Sequence, residues 1–382
     1  MSYVHDLENL RVDALLGTAR PPLSAKVDNI QDLDGLRIRW ERAEPVPVLL
    51  GDREQGAEHT WGQLDIRTLL RGEQSAGRFS AHSILLVPGA GLSAHYHLDA
   101  HTCLLVAEGA VELRVGGLVE EVGKYSLGYV PPMTRMAFRN LSDTPATLIA
   151  VYSPAGADHA FAAAHAHWKA SPASEEAAYR GILDGHGFRF DDAVLSNDVR
   201  TNKSDPPLDF EFTGGDGLEA MRREFARRAP VPRLVHTRPD EATAPAMDLT
   251  LRKQLLTGDD SAGHGMMNLL SWIPGPGAPP HHQPTEEEFF FILSGALEMT
   301  CGTEVRVLEP GGFAFCPRNC SHGFNNPQAD DYARFVTLNS PAGHERTMAA
   351  LRKLSATGPT PQQVREMSTS GGFTFHERIP GQ

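Results

Sequence analysis

The segments GPGAPPHHQPTEEEFFFILSG at residues 275–295 and GGFAFCPRNCSHGFNN at residues 311–326 decide the fold of this chain. Both read as short strands separated by glycine, proline and asparagine turns. Among their residues are His281, Glu288 and His322. Imidazole and carboxylate groups brought together on a β-scaffold are typical of a metal site.

Strand parity indicates which side chains share the interior of such a scaffold, because successive strand residues point to opposite faces. If Glu288 points inward, the residues that can converge with it are His281, Gln283, Phe290, Ile292, His322 and Phe324. Two imidazoles and one carboxylate suit Fe(II), Mn(II), Ni(II) or a similar ion and leave positions open for substrate or O₂. Phe290 and Phe324 are predicted to form an apolar wall of a substrate pocket.

Length and composition favour a two-domain globular protein. The chain has 382 residues, enough for two ordinary domains, and 41% hydrophobic residues, enough for real cores. Its 36 glycines and 28 prolines favour many short strands. The formal charge of −13 argues against nucleic acid or an anionic membrane as the main partner.

Cysteine usage and the N-terminus favour a reducing, cytoplasmic setting. Four cysteines do not make a disulfide framework in a chain this long. The spacing of Cys316, Cys320 and His322 could indicate a zinc knuckle, but the sequence has no second cysteine pair to complete one. Cys316 and Cys320 are therefore expected to be ordinary thiols. Met1–Leu10 is polar and acidic, unlike a signal peptide, and no apolar run reaches the ~20 residues of a membrane span.

The chain contains an internal duplication. Ser75-Ala76-Gly77 recurs as Ser261-Ala262-Gly263, an offset of 186 residues. The same offset relates Pro88 to Pro274, Gly89 to Gly275, Gly91 to Gly277, His95 to His281, Gly109 to Gly295, Glu112 to Glu298, Pro131 to Pro317 and Asn140 to Asn326. This period is far longer than a solenoid repeat. We therefore predict an N-terminal domain at 1–190, a polar linker at 191–217 and a C-terminal domain at 218–382.

The pattern also predicts the elements of each half. Residues 1–65 give no clear topology. Strands are expected at Leu69-Leu70, Ser83–Val87, Cys103–Ala107, Val111–Val115, Tyr125–Val130, Arg135–Arg139 and Thr147–Tyr152. Helices are expected at Asp158–Ala170, Glu175–Leu183 after an N-cap at Ser174, Leu218–Arg228, Glu345–Leu354 and Pro361–Met367 after an N-cap at Thr360.

These spacings resemble the two signature motifs of the cupin superfamily, G-x5-H-x-H-x4-E-x6-G and G-x5-P-x-G-x2-H-x3-N. The resemblance covers roughly residues 66–155 and 252–343, so the chain is similar to a bicupin. It implies an all-β fold of two tandem double-stranded β-helix (jelly-roll) barrels with metal bound inside, each followed by short C-terminal helices. Ser-Pro-Ala-Gly and a Gly-Phe-x-Phe ending after each barrel resemble bacterial quercetin 2,3-dioxygenase-like cupins.

The second half departs from the family pattern at two positions. Gln283 stands where the second histidine of the first motif is expected, and Asn319 where a glycine is expected. Asparagine tolerates a left-handed backbone, so Asn319 is a mild change. An amide oxygen is a weaker ligand than imidazole, so Gln283 is expected either as a fourth ligand or as a supporting group around the ligands, with a lower metal affinity. His282 has the wrong parity unless a bulge turns it inward.

The first half departs further. His95 and His97 keep both histidines of the first motif and form a candidate second site. Thr102 replaces the carboxylate and Met136 replaces the second-motif histidine. His101 lies beside Thr102 and could supply the missing ligand, but strand parity predicts that its side chain points to the opposite face. Two imidazoles without an anion suit a hard or borderline metal poorly. The first barrel is therefore expected to be degenerate: a structural unit, a dimer-like partner of the second barrel or a metal-free pocket.

Other residues of the central segment have simpler interpretations. Glu286 and Glu287 are expected to be solvated turn charges. Phe289–Phe291 can be read as core, because a small barrel is normally filled by side chains.

The favoured function is a metal-dependent dioxygenase acting on a small aromatic, flavonoid-like or polyketide-like molecule in the second barrel. His281, Gln283, Glu288 and His322 would hold one divalent transition metal (Fe, Mn, Ni, Cu or Zn, with Fe(II) preferred), and Glu288 could also act as general base. A non-oxidative isomerase, cyclase, lyase or decarboxylase and a non-catalytic metabolite-binding protein are the alternatives. The expected partners are a small substrate and O₂; a homodimer is left open, and nucleic acid and membrane are excluded.

Overall fold

A computed structural model of the chain describes residues 27, 29–43, 45–172, 176–192, 195, 207–208, 217–237 and 250–375. Within these residues, antiparallel strands form two barrels, one in each half of the chain, and short helices follow each barrel. The predicted all-β class with two tandem barrels is confirmed.

The described residues of the first half form twelve strands. They are β1 (Val48–Leu50), β2 (Ala57–Trp61), β3 (Leu64–Leu70), β4 (Ser80–Leu86), β5 (Gly91–His97), β6 (His101–Glu108), β7 (Ala110–Val115), β8 (Leu118–Gly123), β9 (Leu127–Val130), β10 (Met136–Arg139), β11 (Ala146–Ser153) and the short β12 (Phe188–Arg189). The described helices of this half are α1 (Ile30–Glu41), α2 (Ala157–Ala170) and α3 (Glu176–Asp184).

The second half repeats this order. Its strands are β13 (Arg233–Val235), β14 (Thr250–Leu256), β15 (Met266–Trp272), β16 (Gly275–Pro276), β17 (His281–His282), β18 (Glu287–Ser294), β19 (Leu297–Cys301), β20 (Glu304–Leu308), β21 (Phe313–Cys316), β22 (His322–Asn326), β23 (Ala333–Ser340) and β24 (Thr374–Phe375). Its described helices are α4 (Gly217–Phe225), α5 (Gly258–Ser261), α6 (His344–Ser355) and α7 (Pro361–Ser370).

Two sheets make up each barrel. The first barrel has the sheet order β13-β9-β6-β11-β4-β3-β2 and the order β12-β5-β10-β7-β8. The second has β1-β21-β18-β23-β15-β14 and β20-β19-β22-β17-β24, with β16 paired to β22. Strand alternation divides the central phenylalanines as expected: Phe290 lies in the core of the second barrel, whereas Phe289 and Phe291 lie in a core shared by both barrels.

The barrels exchange a strand with each other. Strand β1 of the first half pairs with β21 of the second barrel, and β13 of the second half pairs with β9 of the first barrel. The exchange places Leu49 in the interior of the second barrel and Leu234 in the interior of the first. One sheet of each barrel is therefore completed by a segment from the other half.

The duplication extends further towards the N-terminus than sequence reasoning found. Helix α1 buries Leu33, Leu36 and Trp40, and helix α4 buries Leu218, Met221 and Phe225 at equivalent spacing. Arg37 and Arg222 also match, because Nε of each donates to a backbone carbonyl after its own barrel, that of Ala155 at 2.8 Å and that of Ala342 at 2.9 Å. Residues 1–65, which gave no clear topology, thus include a helix and strands of the repeat.

The remaining element predictions agree with the structure to within a few residues. Thr360 is the N-cap of α7, with its side chain accepting from the backbone N–H of Gln363. The predicted N-cap Ser174, the segment Met1–Leu10 and most of the linker 191–217 lie outside the described residues. No helix among those that the structure describes is long and apolar enough to cross a membrane.

Candidate metal centre

His281, Glu288 and His322 converge inside the second barrel. His281 on β17 lies directly across from His322 on β22, and Glu288 lies on β18 in the opposing sheet. One ligand atom from each of the three lies within 4.8 Å of the others, and all three side chains are buried. These are the three residues that the sequence predicted to converge, and we call them the triad.

Backbone carbonyls orient both imidazoles of the triad. Nδ1 of His281 lies 2.9 Å from the Pro279 carbonyl oxygen, and Nδ1 of His322 lies 3.0 Å from that of Cys320. A carbonyl only accepts, so each Nδ1 carries the proton and each Nε2 keeps its lone pair for a metal.

This arrangement fits a bound cation. Nε2 of His322 lies 3.1 Å from Oε2 of Glu288. With the ring proton on Nδ1, two acceptor atoms face each other at this distance, which is favourable only when a proton or a cation lies between them. A divalent transition ion ligated by His281, Glu288 and His322 satisfies both atoms, and two imidazoles with one carboxylate match its preferences.

The electrostatics keep the triad ready for a metal at neutral pH. Burial, helped by the neighbouring His322, lowers the pKa of His281 to about 3. Burial on its own raises the pKa of Glu288, but the imidazoles of His322, His344 and His281, when they are protonated, outweigh it and lower that pKa to about 2. Neutral imidazole and ionised carboxylate are the forms that bind a metal.

Gln283 reaches the same site as a partner of Glu288. Its side chain is 1% exposed, and its Nε2 donates to Oε2 of Glu288 at 3.3 Å. The backbone carbonyl of Gln283 accepts from the N–H of Asn319 at 3.0 Å. Asn319 has the left-handed φ of 61° that was expected of it. In this structure the amide supports the carboxylate of the triad, one of the two roles predicted for it.

The prediction of Glu286 and Glu287 as solvated turn charges is wrong. Glu286 is 2% exposed and Glu287 is 1% exposed. Glu286 pairs with Arg222 of α4 at 3.0 Å. Glu287 pairs with Arg78 of the first barrel and with Arg318, the latter at 2.7 Å. These arginines lie far away in the sequence, so local composition could not reveal that they neutralise the carboxylates.

Phe290 and Phe324 lie beside the triad and pack against each other. Their ring centroids are 6.1 Å apart, and that of Phe290 is 6.1 Å from His322. Both rings also contact Phe335, at 6.1 and 5.2 Å. The three phenylalanines form an apolar floor on one side of the triad, and the assignment of Phe290 and Phe324 to a substrate pocket remains a prediction.

Two aromatic residues near the site were missed by sequence reasoning. The C-terminal strand β24 pairs with β17, so that Phe375 lies across from His281. The rings of Phe373 and Phe375 lie 5.5 and 5.7 Å from the ring of His281, and Phe375 is 38% exposed. Phe188 and Phe190 hold the same relation to His95 in the first barrel. The repeated Gly-Phe-x-Phe ending was the available signal.

The first barrel lacks the triad. His95 and His97 are buried next to each other, with ring centroids 5.3 Å apart, and Thr102 and Met136 are buried where the second barrel has Glu288 and His322. Nδ1 of His95 lies 2.8 Å from the Ser93 carbonyl, while Nε2 of both histidines has no partner among the described residues. Burial lowers the pKa of His95 to about 4. The missing carboxylate agrees with a degenerate site.

The residues weighed as extra ligands lie elsewhere. His101 faces the other barrel, where its ring stacks on His264 with centroids 3.7 Å apart. His282 follows His281 in β17 and so takes the opposite face of the strand. Cys316 and Cys320 are buried free thiols within 3.2 and 3.6 Å of the Cys301 sulfur, and burial raises the pKa of Cys316 to about 11. They are ordinary protonated thiols, as expected.

A second group of potential ligands belongs to the fold. Glu73, Asp158 and His159 also bring ligand atoms within 4.8 Å. Asp158 accepts from the backbone N–H of Gly72 at 3.0 Å, and Glu345 accepts from that of Gly258 at 2.7 Å at the matching place in the second half. The repeated contact indicates a structural role for Asp158.

Comparison with known proteins identifies both barrels. The family model described as "Cupin domain" matches residues 83–152 and residues 268–339. The chain therefore contains two cupin domains, and the resemblance to a bicupin is confirmed. A search of the curated proteins returned no match.

Solved structures with a similar chain fold include three bacterial proteins. Oxalate decarboxylase from Lactobacillus farciminis is 12% identical, with 85% of this chain and 97% of that chain covered and a TM-score of 0.49. Oxalate decarboxylase from Bacillus subtilis is 13% identical, with 88% and 90% covered and a TM-score of 0.47. The protein Ylba from E. coli is 12% identical, with 78% and 93% covered and a TM-score of 0.49. These likenesses are too distant to transfer an activity, a metal or a substrate to this chain.

Proposed function

We propose that this chain is a metal-dependent bicupin enzyme whose active site is the second barrel. The observation that carries the proposal is the buried triad of His281, Glu288 and His322, with both Nδ1 atoms held by backbone carbonyls. Such a triad holds one divalent transition metal and leaves part of its coordination open. When bound, the ion supplies Lewis-acid activation of a substrate oxygen and, if it is redox-active, electron transfer with O₂.

The residues of the chain have separate parts in this proposal. The carbonyls of Pro279 and Cys320 hold the imidazoles in the tautomer that binds metal. Gln283 holds the Glu288 carboxylate. The phenylalanine floor at Phe290 and Phe324 excludes water from one side of the site.

The first candidate reaction is oxygenative cleavage by a dioxygenase, with Fe(II) as the preferred ion. A three-ligand face with open positions for both substrate and O₂ supports it. The second candidate is a non-oxidative isomerase, cyclase or lyase reaction on an enolate. It is favoured by Gln283, which donates to Glu288 and so leaves the site with one imidazole fewer than the family motif has.

Elemental analysis of the purified protein tests the metal site. We expect the wild-type protein and His95→Ala to carry the same metal, and His322→Ala to lose it. A metal that survives His322→Ala and is lost in His95→Ala would show that the first barrel is the active one. Loss from neither variant would place the metal outside both barrels.

Oxygen consumption separates the two candidate reactions. The metal-loaded protein is mixed with a candidate substrate in an oxygen electrode while substrate loss is followed by chromatography. Stoichiometric O₂ uptake supports the dioxygenase. Turnover at an unchanged O₂ concentration supports the non-oxidative reaction.

A further inference from the structure

Three polar side chains, Arg252, Asn268 and Asn339, form what we call the polar wall on the inner face of the second barrel. They lie on β14, β15 and β23, the three strands that follow the Glu288 strand β18 in its sheet. Asn339 on β23 is directly across from Glu288. Asn268 on β15 shares the face of Asn339, because Met266, two residues away, pairs with Asn339. Arg252 on β14 pairs with Leu270, which has the same parity as Asn268. Directly paired residues of antiparallel strands point to the same side, so Arg252, Asn268 and Asn339 face the interior with Glu288.

The two asparagines have buried amide atoms without a hydrogen-bond partner among the described residues. Both side chains are 0% exposed. Oδ1 of Asn268 and both Oδ1 and Nδ2 of Asn339 are unpartnered. Leaving such an atom unsatisfied costs about 1–3 kcal/mol, so buried amides of this kind indicate a polar ligand.

Arg252 adds a positive charge to this wall. The side chain is largely buried, which lowers its pKa to about 10 and still leaves it charged at neutral pH; Arg352 lowers that pKa further, while Glu288 and Glu345 raise it. Both carboxylate oxygens of Glu345 are held by backbone N–H groups, those of Gly258 at 2.7 Å and Gly343 at 2.9 Å. Glu288 is a ligand of the proposed metal. With a divalent ion on the triad, the interior therefore holds a surplus of positive charge, which is costly to bury without an anion.

The first barrel serves as an internal control, because it has lost both the triad and the wall. At the positions equivalent to Arg252, Asn268 and Asn339 it has Ile66, His82 and Tyr152. Ile66 and Tyr152 belong to the hydrophobic core of that barrel, and Nδ1 of His82 is bonded to Thr68 at 3.0 Å. Nε2 of His82 and the hydroxyl of Tyr152 are also buried without a partner among the described residues, so the first barrel lacks the arginine and the two amides but not every unsatisfied polar atom. The arginine and the amides thus accompany the metal ligands and are not a general feature of this barrel fold.

We propose, resting on the metal site proposed above, that Arg252, Asn268 and Asn339 recognise the substrate and that the substrate is a small organic anion. It carries a carboxylate or enolate group next to a hydroxyl or carbonyl oxygen. The guanidinium of Arg252 pairs with the negative charge. Nδ2 of Asn339 donates a hydrogen bond to an oxygen of the substrate, and Oδ1 of Asn268 accepts a hydrogen bond from its hydroxyl group.

Anion binding to the Co(II)-loaded protein tests this assignment. Glycolate has the required carboxylate and hydroxyl, ethylene glycol is its neutral counterpart, and benzyl alcohol represents a neutral aromatic ligand. Binding is followed through the visible spectrum of Co(II) and by calorimetry. We expect glycolate to bind better than both other probes. Arg252→Gln should weaken glycolate binding by at least about tenfold, the effect of losing a charge-assisted contact, while Arg252→Lys restores part of it.

A matched control separates local recognition from net charge. Arg352→Gln removes the same charge from an exposed position of α6 near Arg252, and it should change glycolate binding by no more than about twofold. Co(II) affinity should be the same in all three variants. If Arg252→Gln and Arg352→Gln have equal effects, or if ethylene glycol or benzyl alcohol binds as well as glycolate, the anion assignment is overturned while the metal site stands.

Asn339→Leu gives an independent readout. Leucine has a similar volume and removes the unsatisfied amide, so we expect a higher thermal unfolding midpoint together with weaker glycolate binding. A purely structural asparagine would show the opposite change in stability. A wild-type protein that binds no Co(II) at the triad would instead overturn the proposed function and this inference with it.

Discussion

Gln283 and Glu288 are joined by a hydrogen bond, 3.3 Å from Nε2 of the amide to Oε2 of the carboxylate. Gln283 occupies the position at which the first barrel has His97. Where an imidazole would offer a lone pair to a metal, this amide offers an N–H to the neighbouring ligand. The proposed metal site of the second barrel therefore has three ligands and one supporting group.

Restoring the histidine should strengthen metal binding. We expect Gln283→His to lower the dissociation constant for Co(II) or Zn(II) by at least about tenfold, because a third imidazole replaces a neutral amide, and tenfold corresponds to about 1.4 kcal/mol. Competition against a chromophoric chelator measures the change. An unchanged affinity would show that the side chain at position 283 does not reach the metal.

Gln283→Leu removes the hydrogen bond to Glu288 without adding a metal ligand, and so complements the test with Gln283→His. It leaves the triad in place but frees the Glu288 carboxylate, so we expect metal affinity to fall by about tenfold, as for other groups that orient a ligand. Equal affinity for Gln283→Leu and the wild type would mean that the hydrogen bond to Glu288 has no influence on the metal.

The exchanged strands predict that the halves cannot be separated at the boundary chosen from the sequence. A fragment of residues 218–382 lacks Val48–Leu50 and so exposes the edge of β21 and the site filled by Leu49. Exposed strand edges promote aggregation. We expect this fragment to aggregate or to lack a cooperative thermal transition, whereas the full chain unfolds cooperatively. A folded, monomeric fragment would show that the two halves are independent domains.

The triad could be predicted from the sequence because its information is local. Parity and spacing over a few residues place His281, Glu288 and His322 on inward faces, although the duplicate copy repeats only the first of them, as His95. The environments of Glu286 and Glu287 could not be predicted, because their partners Arg222 and Arg78 come from 64 and 209 residues away. The order of the strands in the sheets could not be predicted either, because strand pairing also joins residues that are far apart in the sequence.

The buried charge of Glu287 should hold the two barrels together. We expect Glu287→Gln to lower the free energy of unfolding by about 2 kcal/mol, because it removes the charge that accepts hydrogen bonds from Arg78 and Arg318 at the interface. Denaturant titration measures the loss. The control is Glu54→Gln, which breaks ion pairs of an exposed carboxylate and should cost less than about 1 kcal/mol. Equal losses in both variants would argue against a structural role for Glu287.

The stacked histidines at the barrel interface should make stability depend on pH. Burial lowers the pKa of His101 to about 2, with a contribution from His264, and lowers that of His264 to about 4, against 6.5 for an ordinary histidine. In the unfolded chain both protonate below pH 6.5, whereas in the folded chain both stay neutral down to their lowered pKa. Each contribution to stability is therefore complete well above pH 6.5 and is lost as the pH falls from 6.5 towards the lowered pKa, about 4 for His264 and about 2 for His101.

His264→Phe tests this dependence, because it keeps an aromatic ring stacked on His101 but removes one titrating group. Between pH 7.5 and 5.5 we expect the variant to lose about 1.4 kcal/mol less of its free energy of unfolding than the wild type. Denaturant titrations at the two pH values measure the difference. Between pH 7.5 and 8.5, where both states leave the imidazole neutral, the two proteins should respond alike. A variant that loses as much stability as the wild type at pH 5.5 would show that His264 is protonated in the folded protein.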